Sequence, residues 1–275
     1  MLLALDIGNS CISAGIFRLN DNGCTDFFST DSLICKFVIS TRYITPDEYI
    51  ISIKNFIDYH SVELSSVDCA IISSVVPSLT DILANAVKCL CGCPPLIVTC
   101  GIRTGFGIKI KNPEQLGADI VANATAAINI SDPPIVILDS GTATTLTVVD
   151  SNRNLIGTII MPGLKTSMKA LSNSAAQLSD VLLESPDELI GRDTSDSIKS
   201  GVVNGHVFAI DGFIRNIREE LRTKETGSQL SLIATGGHAD FLIPKLRNKF
   251  TYVESLTLFG DAYLYQKNKN KYNFV

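Results

Sequence analysis

The chain has 275 residues, 45% hydrophobic and 19% charged, with a formal net charge of -5, which is the balance of a globular protein large enough for one big lobe or two medium ones. No block of lysines and arginines concentrates positive charge, so a nucleic-acid partner is not expected. Asp6 interrupts the apolar start and no run approaches the ~18 apolar residues of a membrane helix, so the expectation is a cytoplasmic protein with no membrane partner.

In chain order, residues 2–5 form a short apolar strand. Asp6, Ile7, Gly8, Asn9 and Ser10 make a turn, and residues 11–17 read as a second strand. Asn20 to Gly23 is a hairpin signal, because Asn-Gly tolerates positive φ. The eight cysteines, Cys11, Cys24, Cys35, Cys69, Cys89, Cys91, Cys93 and Cys100, read as reduced thiols in a long chain without an export signal. The Cys89, Cys91, Cys93 spacing is C-x-C-x-C, with Cys100 as the one candidate fourth ligand, which does not match a structural zinc site.

Residues 120–128 are apolar at helical spacing, with Asp119 in the first turn. Pro133 and Pro134 punctuate the passage into a second strand-turn-strand unit. There residues 135–138 are an apolar strand, residues 139–144 a turn beginning Asp139, Ser140, Gly141, Thr142, and residues 145–149 a strand. A further turn at 150–154 leads into a strand at 155–161. The opening unit of the chain has recurred. One Asp-x-Gly alone is an ordinary β-turn, but two at matched strand ends predict paired α/β lobes that each present an aspartate beside a small-residue turn. Gly8 and Gly141 let backbone approach a ligand, and neighbouring amides and the hydroxyls of Ser10, Ser13, Thr142 and Thr144 can donate to phosphate oxygens. The carboxylates can hold metal ions directly or through water. A third element, an apolar strand at 230–234 opening into Thr235, Gly236 and Gly237, offers close backbone approach to an adenine or ribose; a strand-to-helix turn also uses Gly-Gly for steric reasons alone.

Together these three elements resemble the two phosphate elements and the adenosine element of the superfamily of acetate kinase, sugar kinases, actin and heat-shock chaperone ATPases. Residues 72–77 (Ile-Ser-Ser-Val-Val-Pro), Asn112 with Pro113, Gly117-Ala118-Asp119, Gly157 with Pro162 and Gly163, and Gly191 with Thr194, Ser200 and Gly201 narrow the resemblance to the type III pantothenate kinases. That resemblance implies an α/β fold of two ribonuclease-H-like (actin-like ATPase) lobes with mixed β-sheets and an ATP cleft between them; the lobes are expected at residues 1–116 and 117–275, with the C-terminal segment packing back on the first. It implies a homodimer and transfer of the ATP γ-phosphoryl group to pantothenate, the first step of coenzyme A biosynthesis. By the same resemblance Asp119 is the general base, and Gly117, Ala118, Asp119, Ile120 and Thr194 are at the substrate. Asp6, Ile7, Gly8, Asn9, Ser10, Cys11, Ile12, Ser13 and Thr142 are at ATP. Asp6 organises magnesium through water, and Asp139 binds a monovalent cation, potassium or ammonium.

The family's arginine after Gly-Ala-Asp is Ile120 here, and its tyrosine two residues before Asn-Pro is Ile110. An isoleucine cannot balance a carboxylate, and a hydrogen bond to a charged group contributes about 1.5–3 kcal/mol. Weaker pantothenate affinity is therefore expected unless Lys109, Lys111, Arg103 or Arg192 compensates. A related kinase with another acceptor, or a catalytically weak regulatory homologue, are the alternatives. Retention of Asp6, Asp119 and Asp139 speaks against the second.

Overall fold

The computed structural model describes residues 1–19, 32–174, 181–224 and 229–272; the turn expected at Asn20 to Gly23, and Cys24, lie outside them. The elements run β1 (Leu2–Ile7), β2 (Cys11–Phe17), β3 (Leu33–Ser40), α1 (Pro46–Tyr59), β4 (Cys69–Ser74), α2 (Pro77–Cys91), β5 (Leu96–Ile97), β6 (Gly107–Ile108) and α3 (Ala118–Ile130). They continue with β7 (Ile135–Ser140), β8 (Ala143–Val149), β9 (Asn154–Pro162), α4 (Leu164–Ser174), α5 (Thr194–Lys224), β10 (Ser231–Thr235), α6 (Ala239–Leu242), β11 (Thr251–Tyr252) and α7 (Leu256–Asn268).

Two compact units result, one from Met1–Ile130 with Leu256–Val275 and the other from Ser131–Ser255. The divide therefore differs from the 1–116 and 117–275 lobes read from the sequence. Helix α3, which the sequence reading gave to the second lobe, packs on α7 and β4, and α7 returns to lie on β1. The apolar faces of α3 and α7 bury each other, and that mutual burial holds both in the first unit.

In the first unit the strand order is β3-β2-β1-β4-β5. The β1–β2 and β2–β3 pairs are antiparallel, and the β1–β4 and β4–β5 pairs are parallel. Strand alternation sorts the residues of β1 onto two faces. Leu3, Leu5 and Ile7 join Tyr49, Ile53 and Ile57 of α1 and Leu79, Leu83 and Val87 of α2 in one core. Leu2 and Ala4 join Val121 and Ala122 of α3 and Leu258 and Ala262 of α7 in another. Asp6, two residues after Ala4, is thereby set on the α3 and α7 face. The same count places Ser73 there, after Cys69 and Ile71 of β4.

Local signals start and stop the flanking helices. Thr45 and Glu48 form a reciprocal capping box at α1, with Pro46 in the first turn. Helix α2 begins at Pro77 and ends at Gly92 in the left-handed region, φ 71°.

The second unit repeats the plan with β9-β8-β7-β10-β11. Its β7–β8 and β8–β9 pairs are antiparallel and its β7–β10 and β10–β11 pairs parallel. Val136 and Leu138 pack with Leu164 and Met168 of α4 and the apolar stripe of α5. In both units the aspartate is the fifth residue of the first strand and stands beside a hydroxyl residue of the parallel neighbour. Asp6 is in register with Ser73, and Asp139 with Thr235. The repeat read from the sequence is thus a repeat of topology and register.

Candidate active site

The first turn closes through Gly8, whose N–H donates to the Cys11 carbonyl at 3.0 Å while its own carbonyl accepts from Thr41 Oγ1 at 2.7 Å. Thr41 N–H also donates to the Ser10 carbonyl at 3.1 Å. A Cβ on Gly8 would sit 3.0 Å from the Cys11 carbonyl oxygen, so a side chain there would crowd the turn. Asn9, Ser10 and Cys11 are exposed and Ser13 is half-buried. Ile7 and Ile12 are fully buried core residues, which leaves only their backbone to face a ligand.

Three carboxylates gather on the α3 and α7 face of this unit. Asp6 is half-buried and its Oδ1 lies 3.2 Å from Ser73 Oγ. Ser73, fully buried, also lies 2.8 Å from Oδ2 of Asp261 on α7. Asp261 has no exposed surface, and its Oδ1 has no hydrogen-bond partner. Burial pushes its carboxyl well above the usual carboxylate range, and the charges of Asp6 and Asp119 push it further, against the lowering by Ser73. Asp119, in the first turn of α3, is also raised by burial, although its Oδ1 accepts from the Ile120 N–H at 2.8 Å. Oxygen donors of this kind suit a hard cation such as magnesium; Asp6 and Asp119 both keep some solvent access, and Asp6 also borders the exposed turn at Asn9 and Ser10.

Asp261 was missed by the sequence reading. The available signal was a single carboxylate inside the otherwise uncharged run from 255 to 266, at a position where an amphipathic helix keeps its buried stripe.

Gly117 and Ala118, directly before Asp119, line a cavity of about 460 Å³ with Thr99, Cys100, Thr104, Glu114, Gln115 and Val121 among its other walls, a size that suits a small organic ligand. Ile120 is buried, and Ile110 is half-buried outside the lining. Neither Lys109, Lys111, Arg103 nor Arg192 lines the cavity.

In the second unit, Gly141 N–H donates to the Ala143 carbonyl at 2.9 Å, and the Thr142 carbonyl accepts from Gly163 N–H at 3.0 Å and Thr166 Oγ1 at 2.7 Å. This backbone anchoring leaves the Thr142 side chain exposed. Asp139 is half-buried. Gly236, at φ 94°, lies so close that a Cβ there would collide with Asp139 Oδ1 and the Ser140 backbone, and His238 N–H donates to the Ser140 carbonyl at 3.0 Å. The Thr235-Gly236-Gly237 element and the Asp139 turn are therefore one structure. Burial and nearby Lys165 hold the His238 imidazole below its ordinary pKa, so it is neutral there. Thr194 is exposed at the start of α5, where Asp193 Oδ1 accepts from Asp196 N–H at 2.8 Å.

Among the described residues no group of three His, Cys, Asp or Glu side chains is arranged as a metal cluster, and the cysteines are free thiols. Burial raises both the Cys69 and Cys91 thiols to about 12, so they remain protonated. No helix among the described residues is long and apolar enough to cross a membrane.

The family model for type III pantothenate kinase matches residues 2–216. A type III pantothenate kinase of Finegoldia magna is 38% identical over 98% of this chain and 98% of its own length. That of Shouchella clausii is 36% identical over 98% of this chain and 100% of its own. Among solved structures, the ethanolamine utilization protein EutJ from Carboxydothermus hydrogenoformans superposes with a TM-score of 0.52 at 14% identity, covering 95% of this chain and 89% of that one. The fold is accordingly a mixed α/β architecture of two units, each built on its own sheet, of the kind shared with that structure. With its family model matched over most of the chain and relatives above 30% identity along nearly the full length of both proteins, the chain belongs to the type III pantothenate kinase family.

Proposed function

We propose that this protein transfers the γ-phosphoryl group of ATP to the primary hydroxyl of pantothenate, giving 4'-phosphopantothenate for coenzyme A synthesis. The observation that carries the reading is the placement of Asp119. It stands at the N-terminus of α3, directly after two residues that wall a substrate-sized cavity, and its carboxyl is raised by burial toward the range of a useful base. Family membership supplies the acceptor.

Asp119 takes the proton from the pantothenate hydroxyl as the phosphoryl group is transferred. The 6–13 turn and Thr142 offer amides and hydroxyls to the ATP phosphates, and Gly236 and Gly237 offer backbone to the nucleoside. Magnesium, when bound with ATP, supplies charge neutralisation on the β- and γ-phosphates, and Asp6 is the residue that would hold it through water. Asp139 is the residue for potassium or ammonium, and Thr194 contributes a substrate hydrogen bond in a homodimer.

The cavity walls carry amide, hydroxyl and thiol groups and one glutamate but no lysine or arginine. Among the described residues of that lining the pantothenate carboxylate has no cationic partner, which favours a raised KM. The test is an acceptor panel with purified protein, ATP, magnesium and potassium, with products identified by mass. Phosphorylation of pantothenate above other small alcohols is the expected result. Preference for a different acceptor, or none at all, would overturn the reading.

A further inference from the structure

Ser73 Oγ carries one hydrogen, yet it lies within hydrogen-bond distance of carboxyl oxygens on both sides, Asp6 Oδ1 at 3.2 Å and Asp261 Oδ2 at 2.8 Å. A hydroxyl can donate one bond and accept others. Both contacts are therefore satisfied only when one of the two acids is protonated and donates to the serine. Their surroundings decide which. Asp6 borders an exposed turn, whereas Asp261 is fully buried with Oδ1 unpartnered. An ionised carboxylate with a bare oxygen in that interior is costly, and a neutral acid with a bare carbonyl oxygen far less so.

We propose that Asp261 is a positioning residue for the reaction: its carboxylic acid donates to Ser73 Oγ, Ser73 donates to Asp6 Oδ1, and this chain fixes the Asp6 carboxylate in the orientation that organises magnesium. The inference rests on the kinase reading given above. Burial, together with the charges of Asp6 and Asp119, favours the protonated form at Asp261. The backbone delivers it there because Gly260 presses α7 onto the Ala122 carbonyl of α3, and Thr257 Oγ1 bonds Asn123 Oδ1 at 2.9 Å to fix the crossing. Ser73 in turn is held by its parallel register beside Asp6.

Two properties separate this role from packing alone. An amide at 261 still donates to Ser73, so Asp261→Asn keeps the half-saturating magnesium concentration for ATP binding within about two-fold. Asp261→Leu fills the space but cannot donate, so it raises that concentration about three- to ten-fold, the worth of one net hydrogen bond. Ser73→Ala does the same, and the Ser73→Ala, Asp261→Leu pair is no worse than either single change because one chain is broken in each case.

The experiment has two arms on the full chain. Infrared difference spectra of wild type against Asp261→Asn at neutral pH should show the C=O band of a protonated carboxyl that the variant lacks. Magnesium-dependent ATP binding by calorimetry should follow the order just given. A missing band, an Asp261→Asn variant as impaired as Asp261→Leu, or an Asp261→Leu variant with lowered melting temperature and wild-type magnesium dependence would each overturn the proposal. If the wild type binds ATP but phosphorylates no pantothenate, the acceptor reading fails while both arms still decide the role of Asp261.

Discussion

Gly260 of α7 faces the Ala122 carbonyl of α3 so closely that no side chain fits between them. The crossing of these two helices therefore depends on a missing Cβ, and it carries Asp261 and Asp119 to the same face of the β1–β4 pair. Replacing Gly260 with alanine should force the helices apart and destabilise the protein by about 1–3 kcal/mol, as overpacking generally does. Denaturant unfolding would show a lower midpoint with an unchanged slope. ATP affinity should fall in the same variant, because the Ser73 contact with Asp261 is displaced.

A second expectation concerns pH. The folded-state pKa of Asp261 lies above that of a free aspartate, so the folded protein holds this proton more tightly than the unfolded chain does. Stability from this group is then full at low pH and is lost as pH rises from the unfolded value, about 3.9, through the raised folded value. The groups facing it are Asp6, Ser73 and Asp119. Wild type should lose stability relative to Asp261→Asn across that window by up to about 1.4 kcal/mol per pH unit. Parallel stability profiles for the two proteins would contradict this.

Gly236 provides a third test. Its φ of 94° and its contact with Asp139 leave no room for a side chain. Gly236→Ala adds strain of about 1–3 kcal/mol and displaces the Asp139 carboxylate. A several-fold rise in the potassium or ammonium concentration needed for half-maximal turnover is expected, alongside a lower melting temperature. A variant with wild-type cation dependence would separate Asp139 from the cation site.

These residues also mark what the sequence could and could not tell. The two Asp-x-Gly turns were legible because strand alternation, turn glycines and an aspartate recur together, and the register beside Ser73 and Thr235 follows from that plan. Asp119 stands out in the sequence by its Gly-Ala-Asp setting, and its position in the first turn of α3, directly after two residues of the cavity wall, agrees with the helix start read there. The division of the chain was not, since the partner of α3 is a helix that begins at Leu256, and pairing across such a separation leaves no local pattern. Asp261 was hidden for the same reason. A carboxylate in an apolar helix signals something unusual, but the groups it meets on β1 and β4 are known only once the helix is placed. Ile7 and Ile12 fall inside the 6–13 segment by position, yet alternation turns their side chains into the α1 and α2 core.

The most direct test of the account is ADP release by purified protein with ATP, magnesium, potassium and pantothenate, compared with Asp119→Asn. A positioned base is worth about 10²- to 10⁴-fold, so pantothenate-dependent release is expected in the wild type, with a loss of that size in the variant and ATP affinity nearly unchanged. Because burial raises the Asp119 carboxyl, the acid limb of kcat/KM should lie above the pH at which a free aspartate titrates. Turnover in Asp119→Asn equal to that of the wild type would contradict the central assignment.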